Sequence, residues 1–349
     1  MENYRDLLTN IKGRYNPDRQ YGIESKMFSD LASDITDLQR YVYLSMMAVD
    51  ASYTATTKAA GERVMQHLQN GGLTDVSYHY QGSVMTDTHI KGHSDIDLLT
   101  VCEKFYSYDA NGTKNILETY RNNYTTSQLL KLQAVANATP YQGDVYSDLR
   151  NLRLKSESIL LGKYNICNVS HAKAIKITNQ DLHRDVDIVT AGWYDDVHSI
   201  LNDKGIYRGI QVYDKEHNTK CSPDYPFLSI DRINTKSATT NGRLKRMIRF
   251  LKNIKVDSKQ NIDLSSFDIN AICYAIDLVE YNNLYYLQLV EVVWRQLYKI
   301  ATDSVYAYNL TSVDGKEYIF RGNQKVQEIV KLKNEVFSIY QAIQNLHLL

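Results

Sequence analysis

Residues 81–101 read QGSVMTDTHIKGHSDIDLLTV and decide the fold that we predict for this chain. Gly82 and Ser83 come first, a polar loop follows, and Asp95 and Asp97 then stand two positions apart in an apolar run. Residues at positions i and i+2 of a strand point to the same side of a sheet. The two carboxylates should therefore converge on one point while their apolar neighbours pack into the sheet.

The converging carboxylates are suited to divalent cations. Mg²⁺ commonly works with a few carboxylates and the phosphates of a substrate. A charged residue in an apolar strand is costly unless it is paired or bound to a metal. The Gly82-Ser83 turn leaves backbone N–H groups free to face a phosphate, and the serine hydroxyl adds a donor. Together these features predict phosphate chemistry on a nucleotide.

A second strand-like run, HRDVDIVTAGWY at residues 183–194, offers a third carboxylate. Asp185 and Asp187 alternate in this run, and either could complete a cluster of three. We favour Asp187 because apolar residues flank it on both sides, and we interpret Asp185 as a solvated residue at the strand entry. The third carboxylate would bind the ion that activates an attacking hydroxyl, or would accept its proton.

The third feature is a basic helix. Residues 232–255 carry eight lysines or arginines and no acidic residue, and NGRLKRMIRFLKNIK at 241–255 has a helical pattern. Lys245, Arg249 and Lys252 form one stripe that repels itself unless anions neutralise it. We interpret the stripe as a triphosphate clamp; the alternative is a solvated helix face. The predicted buried face consists of Leu244, Met247, Ile248, Leu251 and Ile254.

The order of elements predicts an α+β protein. A long helix is expected over residues 26–68, strands then alternate with helices, and irregular, extended chain is expected over 202–240. Helices dominate the remainder. This distribution indicates an α+β part at residues 1–230 and a helical lobe at 231–349, with a cleft between them.

Composition excludes several classes of protein. The 349 residues include 40 basic and 40 acidic ones, so no global field recruits DNA, RNA or an anionic membrane. The sequence has no run of eighteen apolar residues, which argues against a membrane span. The four cysteines form no CxxC pair, so neither a zinc ribbon nor a disulfide framework is indicated and a cytoplasmic setting fits.

Gly82-Ser83, Asp95-Ile96-Asp97 and Asp187 resemble the GS…DxD…D signature of the DNA polymerase β-like nucleotidyltransferases. Within that superfamily the chain most resembles the cGAS/DncV-like nucleotidyltransferases (CD-NTases) of bacterial anti-phage systems. This resemblance covers roughly residues 76–276 and rests on four segments. They are the form QGS…HSDIDLL, VDIV before an aromatic-rich turn, the helix RLKRMIRFLKNIK and the segment SFDINAI.

The resemblance implies a bilobed enzyme with a polymerase β-like core, in which a small mixed sheet is flanked by helices. The active site would lie in the cleft beside the C-terminal helical lobe. Such an enzyme uses two Mg²⁺ ions, with Mn²⁺ as an alternative, to join NTPs into a cyclic oligonucleotide second messenger in CBASS-type signalling. Pyrophosphate is released.

The resemblance also assigns residues by position. Asp95, Asp97 and Asp187 would be the catalytic metal ligands, and Gly82 and Ser83 would hold the donor triphosphate. The phosphate-binding cations would be Lys252, with Lys245 and Arg249 beside it. Thr190 stands where many relatives have proline, and the zinc-binding insertion of animal cGAS is absent, which argues against DNA sensing.

The expected partners are NTP substrates, a separate effector that receives the cyclic product, and a regulatory protein, with no stable DNA or RNA binding and no membrane. Two alternatives stay open. A template-independent RNA or tRNA nucleotidyltransferase would use the same three aspartates but needs an extended basic surface. A non-catalytic, antitoxin-like nucleotide-binding module would tolerate degenerate aspartates, whereas this chain keeps all three candidates.

Overall fold

A computed structural model of the chain describes residues 4–14, 36–93 and 95–348. The chain divides into two compact units. We call Met1–Thr54, Ser83–Ser94 and Arg232–Leu349 the helical unit, and Ala55–Gly82 and Asp95–Asp231 the sheet unit.

The predicted division at residue 230/231 lies one residue from the boundary of these units at 231/232. The units differ from the prediction because the described residues before Ala55 and the segment at 83–93 belong with the C-terminal helices. As a division into functional domains, the boundary at 230/231 stays a prediction.

The helices and strands of the described residues follow in chain order. They are α1 (Tyr4–Gly13), α2 (Asp37–Met46), α3 (Ala51–Asn70), β1 (Val76–Gln81), β2 (Ile96–Tyr108), α4 (Ala110–Glu118), α5 (Thr126–Ala136), α6 (Val145–Leu161), β3 (Cys167–Asn168), β4 (Ile175–Asn179), β5 (Arg184–Asp195), α7 (Val197–Leu201), β6 (Gly209–Asp214), β7 (Thr219–Lys220), α8 (Pro226–Thr239), α9 (Arg243–Asp257), α10 (Ser266–Tyr274), α11 (Gln288–Thr302), α12 (Ser304–Asn309) and α13 (Asn323–Asn345).

The sheet unit is built on a mixed sheet whose main path runs β1-β2-β5-β4-β3, with β6 and β7 joined to it through β5. β2 and β5 are parallel neighbours, and the other pairs are antiparallel. Both central strands are apolar and mostly buried, which is the pattern of strands covered on both faces. The predicted strands that lead into the Gly-Ser turn and that carry Asp97 and Asp187 are therefore confirmed, whereas Asp95 lies directly before β2.

The helical unit has its own hydrophobic core, formed mainly by the C-terminal helices. Helix α9 contributes the face that its sequence predicts, because its five predicted apolar residues are at most 3% exposed. Full burial of each such side chain contributes about 1.5–3 kcal/mol. Within the described residues no helix combines the length and the apolar character that crossing a bilayer requires.

Two sequence predictions are wrong in detail. The long helix expected over 26–68 begins outside the described residues, and its described part is broken between α2 and α3. Met47 is extended, and helical hydrogen bonding resumes where the Thr54 N–H donates to the Asp50 carbonyl. The region 202–240 is not all irregular, since α8 begins at Pro226, and proline is favoured in the first turn of a helix.

Candidate active site

Four side chains form one row across four strands of the sheet unit. Asp97 on β2 lies opposite Asp187 on the parallel strand β5, and Asp187 lies opposite Lys176 on β4. Gln81, the last residue of β1, lies opposite Asp97. Residues paired across strands point to the same face of a sheet, so this register directs both carboxylates to one side.

Asp95 adds a third carboxylate directly before β2, two positions from Asp97. Burial, reinforced by the charges of Asp187 and Asp95, raises the pKa of Asp97 to about 7. Desolvation, followed by repulsion from Asp187 and Asp185, also raises the pKa of Asp95. Like charges held this close disfavour simultaneous ionisation unless a cation joins them.

Gly82 is required where the chain leaves β1 because of both its conformation and its neighbour. Its φ of +84° lies in the left-handed region, which side chains other than glycine rarely adopt. A Cβ at this position would overlap the Asp97 Oδ2 atom. The structure therefore brings Gly82 together with the predicted carboxylates and explains why a side chain is excluded there.

The donor set fits a hard divalent cation. It consists of carboxylate oxygens, which Mg²⁺ and Mn²⁺ prefer, and the absent Cβ of Gly82 keeps space beside one of them. Among the described residues, no group of three or more His, Cys, Asp or Glu side chains is already arranged to hold a metal ion. The three-aspartate metal site therefore stays a prediction.

Lys176 is a component of this cluster that the sequence did not reveal. Its Nζ atom donates to Asp187 Oδ2 at 2.7 Å, and this hydrogen bond raises the lysine pKa. Asp185 is exposed and accepts a hydrogen bond from the Thr178 hydroxyl, as a solvated strand-entry residue would. Lys176 was missed because only the pairing of β4 with β5 places it beside Asp187.

Ser83 belongs to the helical unit, where it opens a buried polar turn. The Ser83 carbonyl accepts hydrogen bonds from the Thr88 N–H at 2.9 Å and the Thr86 hydroxyl at 3.2 Å. His89 is fully buried, its Nε2 atom lies 2.9 Å from the Thr54 hydroxyl, and burial lowers its pKa to about 4. These contacts fix the backbone around Ser83.

The stripe cations of helix α9 do not lie together on a solvated face, which was the alternative to a triphosphate clamp. Arg249 and Lys252 are 5% and 6% exposed, so they are not part of a solvated face. Arg249 Nε donates to the Met46 carbonyl at 2.9 Å and Nη1 to the Asp87 carbonyl at 2.5 Å. Lys252 Nζ donates to the Thr88 carbonyl at 3.0 Å.

These cations therefore bind backbone carbonyls of the helical unit. Desolvation lowers the pKa of Lys252 to about 7 and that of Arg249 to about 10. Lys245 is half-buried, and desolvation lowers its pKa as well. Their grouping with Gly82 and the aspartates around a triphosphate stays a prediction, as does that of Ser83.

Comparison with known proteins identifies the family. Residues 231–341 match the family model of the cGAS/DncV-like nucleotidyltransferase C-terminal helical domain. A c-di-GMP synthase of Lachnospiraceae bacterium (strain RUG226) is 48% identical over 97% of this chain and 98% of its own length.

Two solved structures are similar over 99% of both chains. One is a STING-associated CdnE c-di-GMP synthase from Flavobacteriaceae sp., with 37% identity and a TM-score of 0.87. The other is a STING-associated CdnE c-di-GMP synthase from Capnocytophaga granulosa, with 43% identity and a TM-score of 0.81.

The fold and these similarities define a nucleotidyltransferase. The chain belongs to the cGAS/DncV-like nucleotidyltransferase family. The predicted α+β, polymerase β-like fold and the predicted enzyme class, a synthase of cyclic oligonucleotides from NTPs, are confirmed. Membership of the family also implies metal-dependent catalysis.

Proposed function

We propose that this chain joins two GTP molecules into c-di-GMP with Mg²⁺. The observation that carries the proposal is the pairing of Asp97 with Asp187 on adjacent strands, with Asp95 two positions away. The choice of GTP is supported by full-length relatives that are named c-di-GMP synthases. The same arrangement of carboxylates could serve other NTPs. The choice of guanine as the base is therefore supported by the relatives and not by the carboxylates.

Asp95, Asp97 and Asp187 would hold two Mg²⁺ ions, which Mn²⁺ could replace. When bound, the ions would lower the pKa of the attacking hydroxyl and neutralise charge on the triphosphate. The sheet supplies the positioning, because the β2–β5 register fixes Asp97 and Asp187 on one face before substrate arrives. Gly82 leaves room at Asp97 Oδ2.

The reaction is two successive nucleotidyl transfers, each of which breaks the bond between the α-phosphorus and the oxygen that bridges it to the β-phosphorus. A ribose hydroxyl of one GTP attacks the α-phosphorus of the other, the new P–O bond forms, and pyrophosphate leaves with the electrons of the broken bond. Asp187 would accept the hydroxyl proton. The linear intermediate would then turn round, and its second hydroxyl would attack its remaining triphosphate to close the ring, so two pyrophosphates are released per c-di-GMP.

For the donor triphosphate we propose Gly82 and Ser83, with Lys252, Lys245 and Arg249 as counter-charges. Lys252 donates to the Thr88 carbonyl and Arg249 to the Asp87 carbonyl. To bind a phosphate, each side chain would have to use its remaining N–H donors or give up these hydrogen bonds. The ammonium of Lys has three donors and the guanidinium of Arg has five, which permits sharing.

The product would act on a separate effector in bacterial anti-phage signalling of the CBASS type, in the cytoplasm. Support comes from the two similar structures, both of which are described as STING-associated. We also propose that a regulatory protein controls the enzyme. The enzyme itself would bind neither DNA nor RNA stably and would not bind a membrane. The formal net charge of +0 supports the last point.

Product analysis tests the proposal against its alternatives. The purified chain is incubated with Mg²⁺ and all four labelled NTPs, without RNA, and the products are treated with nuclease and with phosphatase. We expect one phosphatase-resistant product, c-di-GMP, from GTP alone. A requirement for added RNA would favour an RNA nucleotidyltransferase, and the absence of turnover from a folded sample would favour a non-catalytic module.

A further inference from the structure

The strongest unexplained feature is the ion pair between Lys176 and Asp187. Its N–O distance is 2.7 Å, although the Lys176 side chain is 44% exposed. An isolated ion pair this exposed would contribute little to stability. The ion pair can, however, affect metal binding, because the ammonium contacts one of the carboxylates proposed to bind metal.

We infer that Lys176 is an internal counter-ion of the carboxylate cluster, which a divalent cation must displace from Asp187 in order to bind. This positioning role rests on the proposed function, since it takes Asp187 as a metal ligand. It makes Lys176 the residue that sets how much free metal the enzyme needs before nucleotide arrives.

The charges around Lys176 support this role. Asp95 and Asp97, as well as Asp187, interact electrostatically with its ammonium. Lys176 therefore offsets the repulsion within the metal-free cluster. Its place opposite Asp187 follows from the β4–β5 register, so the pairing is built into the sheet.

A bound divalent cation would reverse the effect of this ammonium. The ammonium and the ion would compete for Asp187 Oδ2, and they would repel each other at short range. A neutral side chain at position 176 removes both penalties and leaves the carboxylates unneutralised. Metal binding should then become tighter, whereas loss of a merely structural contact would loosen the site.

The test measures Mn²⁺ binding to the full chain without nucleotide, by the paramagnetic signal of free Mn²⁺. For Lys176→Gln we expect binding tighter by about tenfold, or about 1.4 kcal/mol. Lys176→Arg keeps the charge and should bind as the wild type does. Lys173→Gln is the matched control, because Lys173 is an exposed lysine three residues away.

Thermal unfolding provides a second readout. In metal-free buffer Lys176→Gln should melt at a lower temperature than the wild type, and Mn²⁺ should raise its melting temperature by a larger amount. Lys176→Met replaces it if the glutamine variant does not fold. Binding of Mn²⁺ by the neutral variants that is no tighter than wild type overturns the inference.

Failure of the counter-ion role can be distinguished from failure of the proposed function. Formation of c-di-GMP by the wild type is measured independently, with GTP and saturating Mg²⁺. A wild type that makes c-di-GMP while Lys176→Gln binds Mn²⁺ no more tightly would refute only the counter-ion role.

Discussion

Asp97 and Asp187 lie directly opposite each other on the parallel strands β2 and β5. The two residues are 90 positions apart in the sequence, and the sheet register alone places them on one face. Their proximity is visible in the raised pKa of Asp97, to which the charge of Asp187 contributes after burial. The site is thus a property of the central strand pair.

Asp187 and Asp185 provide a matched pair of carboxylates on one strand. We expect Asp187→Asn to lower the rate of pyrophosphate release from GTP by about a thousandfold or more, because it removes the proposed metal ligand and proton acceptor. Asp185→Asn should change the rate by less than about threefold, since Asp185 is exposed and bound to Thr178. Equal losses in the two variants would contradict the assignment.

Asp97 should make the metal-free protein less stable as pH rises. Its pKa is about 7 in the folded chain and 3.8 ordinarily, so the folded state holds a proton that the unfolded state loses between about pH 4 and 7. Stability therefore falls across this window. At pH 8 without metal, Asp97→Asn should be more stable than wild type by on the order of 1–3 kcal/mol, while its pyrophosphate release is lost.

Denaturant unfolding in chelator-treated buffer at several pH values checks this prediction. The difference in unfolding free energy between Asp97→Asn and wild type should grow from about pH 4 to pH 7 and then level off. A difference that does not vary with pH would contradict the buried, crowded carboxylate.

Gly82 is expected to be intolerant of even a methyl group. Gly82→Ala should abolish pyrophosphate release and weaken Mn²⁺ binding, because its Cβ would overlap Asp97 Oδ2. Gly72→Ala is the control, because Gly72 also has a positive φ of +77° but its Cβ would meet only Lys155 Nζ, at 3.8 Å. Both variants incur about 1–2 kcal/mol of backbone strain. Retained activity in Gly82→Ala would contradict the close approach.

Lys252 should couple the stability of the helical unit to alkaline pH. Its pKa is about 7 in the folded chain and 10.5 ordinarily, so between these values the unfolded state binds a proton that the folded state does not. Its burial penalty is present in full below pH 7 and is relieved as pH rises. Arg249 and Cys273 are the charged and titratable neighbours that act on it.

Unfolding experiments on Lys252→Met measure this coupling. From pH 7 to 9 the wild type should gain stability relative to the variant, by up to about 1.4 kcal/mol per pH unit. Lys259→Met, a change at an exposed lysine near the end of the same helix, should leave the slope unaltered. Parallel curves for wild type and Lys252→Met would show that Lys252 is not buried as a neutral amine.

Local patterns predicted strands β2 and β5, which carry Asp97 and Asp187. The spacing of Asp95 and Asp97 within an apolar run is enough to predict a strand, because strand periodicity is a local property. The buried face of α9 follows its helical period for the same reason. Asp187 was correctly placed in a strand by its apolar neighbours, although its partner strand was not predictable.

Local sequence patterns could not predict which side chains contact one another in the folded protein. Lys176 joins the cluster through strand pairing, and the stripe cations Arg249 and Lys252 bind carbonyls at Met46, Asp87 and Thr88, far away in sequence. A charge run indicates solvent or anions by default, and nothing local signals that backbone carbonyls will satisfy it.

The stoichiometry of the reaction with GTP as the only nucleotide is the decisive measurement for cyclic synthesis at the carboxylate cluster. Pyrophosphate and c-di-GMP are quantified together for the wild type and for Asp97→Asn, with Mg²⁺ present. We expect two pyrophosphates per c-di-GMP for the wild type and neither product for the variant. Synthesis of c-di-GMP by Asp97→Asn at the wild-type rate, or a wild type that makes only linear products, would contradict it.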